Sequence, residues 1–233
     1  MHETQHFVEQ ASRRPVSHCA VIRKYWRPLL GTAGSWFLFD VTFYANGLFS
    51  TAIIEDLGLV DEDTARQEVL TSSRLSALLS LIAIPGYLTA VLLIDRVGRK
   101  TLQLAGFVSL SVLYLIIGAQ LDWLKRHKAA FFVFYGLTFF VSNAGPNTTT
   151  FVLPSETFPT VVRATCNGIS AASGKLGAVV GVALLKPLQN AVGLDGVMFT
   201  CGVVALIGAA VTVVFTVETK GRTLEDIAPE PLP

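Results

Sequence analysis

Two charged residues, Asp40 and Lys175, sit well inside long apolar runs, 28–54 and 164–185. A charge at the centre of a bilayer costs at least ~2.5–3.5 kcal/mol on insertion scales, so one kept there faces a cavity and a partner. Two readings are open: a substrate or proton site, or an ion pair that locks helices together. Asp40 has company on its own segment. Trp36, Asp40 and Tyr44 recur at i, i+4 and i+8, which on a helix places them on one slowly drifting face. An indole N–H, a carboxylate and a phenol then share a stripe, and Trp and Tyr carry polar handles that need partners when buried. Phe37, Phe39 and Phe43 fall on the other faces and read as packing.

A third polar centre follows the Gly145-Pro146 break in the run 129–155. Pro146 cannot donate to a helix ladder, so Asn147 and the freed backbone groups could line a cavity. Asn147 could equally satisfy the break itself. Ser142, Asn143 and Thr148 to Thr150 make this stretch unusually polar, and they admit a reading as hydrogen bonds between helices. The glycine-rich run from Gly168 to Gly181 is not a nucleotide-binding loop. Five residues rather than four precede its Gly-Lys pair, Leu176 stands where Ser or Thr belongs, and no strand precedes it. Gly177 and Gly181 instead form a GxxxG pair, the kind of small-residue surface that lets membrane helices approach closely. Lys175 would project from that packed backbone.

Charged clusters lie between the runs. Asp95, Arg96 and Arg99 occupy one short loop, Glu156 and Arg163 bracket another, and Glu218 follows the last run. They read as solvated topology signals, as an ion-pair network holding helix ends together in one state, or as both. His2 and His6 are a weak metal-site idea without further ligands. The cysteines Cys19, Cys166 and Cys201 have no metal-ligand spacing and read as packing. There is no paired-carboxylate site, no His-centred triad and no nucleotide motif, so no enzyme and no cofactor is expected.

These groups are carried by segments long enough to span a membrane. The 233-residue chain is only 15% charged, with a net charge of +1 and a mean hydropathy of +0.55. That balance suggests no nucleic-acid partner. About 20 apolar residues cross the hydrocarbon core, and six segments qualify: 28–54, 75–94, 102–121, 129–155, 164–185 and 196–217. The expected fold is an all-α membrane protein of six transmembrane helices with tails at 1–27 and 218–233. Six spans put both ends on one side. Eleven of the eighteen Lys and Arg residues fall on that side, Lys175 lies within the membrane, and Lys125 to Lys128 run against the bias. Basic residues collect on the cytoplasmic face, so both termini are expected there, with the acidic stretch from Glu55 to Glu68 outside. The breakers Asn46-Gly47 and Gly145-Pro146 occupy the first and fourth spans. Broken helices at matching positions of a repeat point to a midplane binding site, and the match requires a three-plus-three division.

DRVGRK (95–100) resembles the loop signature of major facilitators, and ETKGRTLEDI (218–227) resembles a tail motif shared with sugar porters. Three longer stretches, GSWFLFDVTFYANGLF (34–49), LTFFVSNAGPNTTTFVLPSETFP (137–159) and RATCNGISAASGKLGAVVG (163–181), resemble the proton-coupled inorganic phosphate transporters of fungi and plants. The resemblance runs from about Arg23 to Ile227 and corresponds to helices seven to twelve, the C-terminal half of a major facilitator fold with its 3+3 inverted repeat. It implies that Trp36, Asp40, Tyr44, Asn147 and Lys175 surround phosphate. Nothing corresponds to helices one to six, where the family's remaining phosphate ligands and proton-path acids lie. The chain therefore reads as a truncated or half-length product, or one part of a split transporter needing an N-terminal six-helix half.

The expected function is inorganic phosphate transport by proton symport, in an integral membrane protein of the plasma membrane. Its partners would be phosphate, protons and the lipid bilayer. Lys175 would offset the anion, Trp36, Tyr44 and Asn147 would donate to its oxygens, and Asp40 would couple protons. Protonated, Asp40 donates to phosphate; deprotonated, it repels phosphate and pairs with Lys175. The rivals are another solute in the same fold, such as a sugar or organic ion, and a non-transporting fragment or regulatory partner.

Overall fold

The computed structural model of the chain describes residues 18–56 and 65–227. Residues 1–17 and 228–233 of the expected tails (1–27 and 218–233), the His2–His6 pair, and residues 57–64 of the acidic stretch lie outside the described residues. Helices are numbered α1 (His18–Asp56), α2 (Ala65–Leu81), α3 (Ala83–Val97), α4 (Arg99–Ala119), α5 (Leu121–Arg126), α6 (Lys128–Ala144), α7 (Pro146–Thr157), α8 (Thr160–Phe215) and α9 (Leu224–Ile227).

Several of these are pieces of longer rods. Among the described residues, Ala77–Val97, Arg99–Ala119, Lys128–Thr157 and Thr160–Phe215 are long and apolar enough to cross a membrane. The last holds 56 residues and is interrupted at Gly193, whose φ of 75° and ψ of 179° reverse the chain, so it crosses twice. With α1 the described residues make six crossings. Gly193 matters for its conformation, since a left-handed φ is cheap only without a Cβ. α1 is also interrupted, at Tyr25 (φ −105°, ψ 18°). Pro28 follows within the first turn of the resumed helix, where the missing N–H has no intrahelical partner to lose.

Small residues set the packing. A Cβ on Gly177 would stand 2.2 Å from the Phe37 carbonyl oxygen, and one on Gly181 would stand 2.3 Å from that of Val41. These contacts, with Thr32 hydrogen-bonded to Ser170 at 2.8 Å, show that α1 and the first half of α8 run parallel. The second half of α8 runs antiparallel to α1, with Gly31 against Phe215 and Gly34 against Val211. α1 also runs antiparallel to the α6–α7 rod: Trp36 meets Phe151 at 4.5 Å, and Asn46 bonds Thr138 at 3.0 Å. The first and fourth crossings thus point in opposite directions, as an inverted three-plus-three arrangement requires. Trp26 lies 6.5 Å from Phe215, so the start of α1 and the end of α8 share one face of the bundle.

The deepest core lies where α1, α4, α6 and the second half of α8 meet, around Phe39, Phe107, Tyr114, Tyr135, Met198 and Ala205. The outer surface is apolar. Val91, Leu92, Val133, Val179 and Val214 are each more than 60% exposed, which in water would be an aggregation hazard and in lipid is the expected face.

The break at Gly145-Pro146 is built in. A Cβ on Gly106 would stand 2.3 Å from Pro146 Cδ, so α4 passes directly against the bend. The Thr148 and Thr150 hydroxyls donate to the carbonyls of Asn143 and Pro146 within the bent rod. Thr149 reaches Gln103 at 2.9 Å, and Gln103 in turn donates to Thr212 at 2.9 Å. That fully buried chain ties α7, α4 and α8 together. Most of the hydroxyls in this polar stretch therefore serve the broken helix itself, and Thr149 alone of the three threonines bridges to a neighbour. Cys166 and Cys201 are free and buried.

Candidate functional site

The stripe predicted on α1 meets Lys175 of α8. Their parallel course, held by Gly174, Gly177 and Gly181, brings the two intramembrane charges together. Lys175 Nζ lies 3.8 Å from Asp40 Oδ2 and donates to the Tyr44 hydroxyl at 3.1 Å. It also stands 5.1 Å from the centroid of the Tyr44 ring, within cation–π range. The pair is lopsided: the Lys175 side chain is 63% exposed and that of Asp40 only 4%. Asp40 Oδ2 is buried without a hydrogen bond, while the ammonium points out of the bundle with donors to spare. Trp36 is 3% exposed. Its ring fills the space against Gly174, where a Cβ would stand 2.4 Å from the indole. Trp36 thus forms the closed end of the stripe, and Tyr44 and Lys175 its open end.

Asn147 lies in the first turn of α7. Its Nδ2 donates to Asn143 Oδ1 at 2.6 Å and to the Tyr87 hydroxyl at 2.7 Å. Tyr87 stands on α3 and is the second partner of the Asn147 amide. The structure therefore adds a tyrosine that the sequence did not single out. Its only signal was one phenol among aliphatics in the charge-free run 75–94.

A second cluster closes the face that holds the start of α1 and the end of α8. Arg99 grips Glu156 with Nε and a terminal nitrogen at 2.9 and 3.0 Å and pairs with Asp95 at 2.8 Å. Such fork-to-fork pairs are the strong ones. Glu218 accepts the backbone N–H groups of Arg99 and Lys100 at 2.9 and 3.1 Å, so a carboxylate caps the positive end of α4. Gly98 makes room for it: its φ is 103°, and a Cβ would meet Glu218 Oε2 at 2.5 Å. Arg163 is spent locally, on the Phe158 carbonyl and the Thr160 hydroxyl. Arg96 takes part through its carbonyl, which accepts from Lys220. Just beyond, Thr223 and Asp226 form a reciprocal cap on α9. The Thr223 hydroxyl and N–H hold the Asp226 carboxyl below its ordinary value.

Glu218→Ala should cost about 1–2 kcal/mol of stability through the lost cap, and Gly98→Ala a similar amount through its left-handed backbone. Because both break one contact, the double variant should lose less than the sum. Melting temperatures of the four proteins read this directly; strict additivity would show that Gly98 and Glu218 act apart.

Six crossings, a broken fourth helix and a charged, aromatic face left open on one side define the half-bundle of a major facilitator transporter. The comparisons place it within that class. The family described as "Sugar (and other) transporter" matches residues 2–230, and the chain belongs to it. Among curated relatives, the chain is 41% identical over 224 residues to a "Probable inorganic phosphate transporter 1-10" of Oryza sativa subsp. japonica, covering 88% of this chain and 40% of that protein. It is 43% identical over 221 residues to a "Low affinity inorganic phosphate transporter 4" of Lotus japonicus, covering 89% and 40%. The chain thus spans about 40% of the length of these relatives. The crystal structure of a double Trp mutant of XylE shares the fold, with a TM-score of 0.67 and 20% identity over 85% of this chain and 42% of that one.

Proposed function

We propose that the chain forms the C-terminal wall of a proton-coupled inorganic phosphate transporter. The observation that carries this reading is the exposed Lys175 ammonium, fixed on Tyr44 and set beside the buried Asp40 carboxyl. A mobile anion needs a cation that is positioned but not neutralised. At 3.8 Å, with the lysine largely exposed, the pair leaves Lys175 free to turn to a ligand. The names of the relatives supply phosphate as the anion.

In this reading Lys175 offsets the phosphate charge and Tyr44 orients the ammonium. Trp36 closes the pocket floor, and Asn147 reads one oxygen from the broken helix. Asp40 is the proton carrier. With a proton it tolerates the anion beside it; without one it repels the anion and holds Lys175. The Arg99–Glu156–Glu218 cluster latches the helix ends on the cytoplasmic side in one transport state. Both described helix ends on that face are cytoplasmic, and the membrane is the plasma membrane. Segments 28–54, 75–94, 102–121, 129–155, 164–185 and 196–217 are the spans, flanked by cytoplasmic tails. A second set of six helices, as the longer relatives have room for, supplies the facing wall that alternating access requires.

The test is labelled phosphate uptake in cells without phosphate uptake of their own, expressing this chain together with the N-terminal half of a relative. Asp40→Asn should keep phosphate binding while uptake stops responding to external pH, because an amide carries no exchangeable charge. An unchanged pH profile would remove Asp40 from the coupling. Uptake of labelled hexose with none of labelled phosphate would move the chain to the sugar branch of its family.

A further inference from the structure

Hydrogen-bond donors around Asn147 can be counted outward from a backbone carbonyl. The Phe139 carbonyl only accepts, so Asn143 must turn Nδ2 toward it, which it does at 2.7 Å. Asn143 is 1% exposed, and its Oδ1 is thereby an acceptor facing Asn147. Asn147 must answer with a donor, and its Nδ2 stands 2.6 Å away. The second hydrogen of that Nδ2 runs to the Tyr87 oxygen at 2.7 Å. An amide nitrogen has two hydrogens, so both are spent inside the protein. Among the described residues Asn147 Oδ1 accepts no hydrogen bond. The Tyr87 oxygen accepts from Asn147, which leaves its own O–H to point elsewhere. Tyr87 is 45% exposed.

We propose that the Tyr87 hydroxyl is a further substrate-binding donor, and that with Asn147 Oδ1 it forms a donor–acceptor pair selecting a tetrahedral oxyanion that carries a proton. This rests on the phosphate reading above and assigns it a basis for selectivity. Monoprotic or diprotic phosphate presents both kinds of oxygen: a bare one accepts from Tyr87, and a hydroxyl donates to Asn147 Oδ1. Sulfate at neutral pH has no proton to give. One of its oxygens would face Oδ1 lone pair to lone pair, and a site built around a hydrogen bond rejects the analogue that cannot make it. The amide ladder through Asn143 prevents Asn147 from flipping to accommodate sulfate, because a flip would place two acceptors against each other.

The experiment uses the full chain co-expressed and co-purified in micelles with the N-terminal half of a relative, and the 31P line width of inorganic phosphate, which registers binding even in the millimolar range. The wild-type chain should broaden the phosphate line; arsenate, which carries a proton, should reverse the broadening, and sulfate should not. Tyr87→Phe should weaken phosphate binding about tenfold, the loss of one hydrogen bond to a charged group. It should still exclude sulfate, because Asn143 continues to hold Asn147 Oδ1 as an acceptor. Its melting temperature should stay near wild type, because the ring is kept. No broadening with the wild-type chain would overturn the phosphate reading and this proposal together. Broadening that Tyr87→Phe leaves unchanged would overturn this proposal alone, as would sulfate displacing phosphate from the wild-type chain.

Discussion

Lys175→Gln is expected to lower phosphate affinity by roughly a hundredfold, ~3 kcal/mol, the scale for truncating one member of a hydrogen-bonded charge pair. Lys175 is the cation on the open face of the α1 stripe, held on Tyr44 at 3.1 Å with the rest of its donors unspent. Glutamine retains a polar head but neither the charge nor the reach. It also leaves the Asp40 carboxyl, which is 3% exposed, without its counter-charge, so the site then presents an anion to an anion. Stability should change far less than affinity, because the lysine head is 63% exposed and exposed pairs contribute little to folding. The 31P line-broadening titration and the melting temperature of the same sample separate the two effects. A variant that binds phosphate within twofold of wild type would show that Lys175 is only a partner for Asp40. Lys175→Arg keeps the charge and should recover part of the loss, limited by the different shape of the guanidinium head.

The largest structural effect is expected at Gly177. A Cβ there would lie 2.2 Å from the Phe37 carbonyl oxygen, 2.9 Å from its carbon and 3.0 Å from its Cα. All three are backbone atoms, which cannot step aside as a side-chain tip can. Gly177→Val must therefore push α1 and α8 apart by more than an ångström, opening the seam that Gly174 and Gly181 also close. Overpacking of this kind costs about 3 kcal/mol or more, and in lipid the loss of close helix packing removes what holds the helices together. The expected outcome is a chain that elutes as aggregate and no longer binds phosphate, since Asp40 and Lys175 ride on the two separated helices. Gly168 provides the control. No atom lies within 4 Å of a Cβ built there, so Gly168→Ala should be neutral or slightly stabilising, since alanine is the better helix former by up to about 1 kcal/mol. Size-exclusion profiles and melting temperatures of the two variants decide the matter. Equal behaviour would mean that the glycine run is not the seam.

The pair of glycines illustrates how much could be read in advance. Gly168 and Gly177 stand nine positions apart in one glycine-rich run, and the GxxxG spacing singled out Gly177 with Gly181. What that surface packs against, the backbones of Phe37 and Val41, only the neighbouring helix supplies. The same holds for the threonines after Pro146. Their polarity was visible in the chain, but whether each bonded its own bent helix or the next one depended on where α4 passed. The charged cluster at the helix ends divides in the same way. Asp95, Arg99, Glu156 and Glu218 meet where the ends of α3, α4, α7 and α8 come together, while the Arg163 guanidinium turns back on its own loop because the Phe158 carbonyl and the Thr160 hydroxyl lie closer at hand.

The six apolar runs, the two charges inside them, the Trp36–Asp40–Tyr44 stripe and the break at Gly145-Pro146 were determined by the sequence alone. Each is local: hydropathy needs only a span's length, a stripe needs only the helical repeat, and a proline breaks a ladder wherever it stands. The tertiary structure decided which of these groups meet. That Asp40 faces Lys175, that Gly174 seats Trp36, and that Asn143 and Tyr87 consume both donors of Asn147 depend on the rotation and register of one helix against another. Those are set by where backbones can touch, a property of pairs of distant segments that no single stretch of sequence carries.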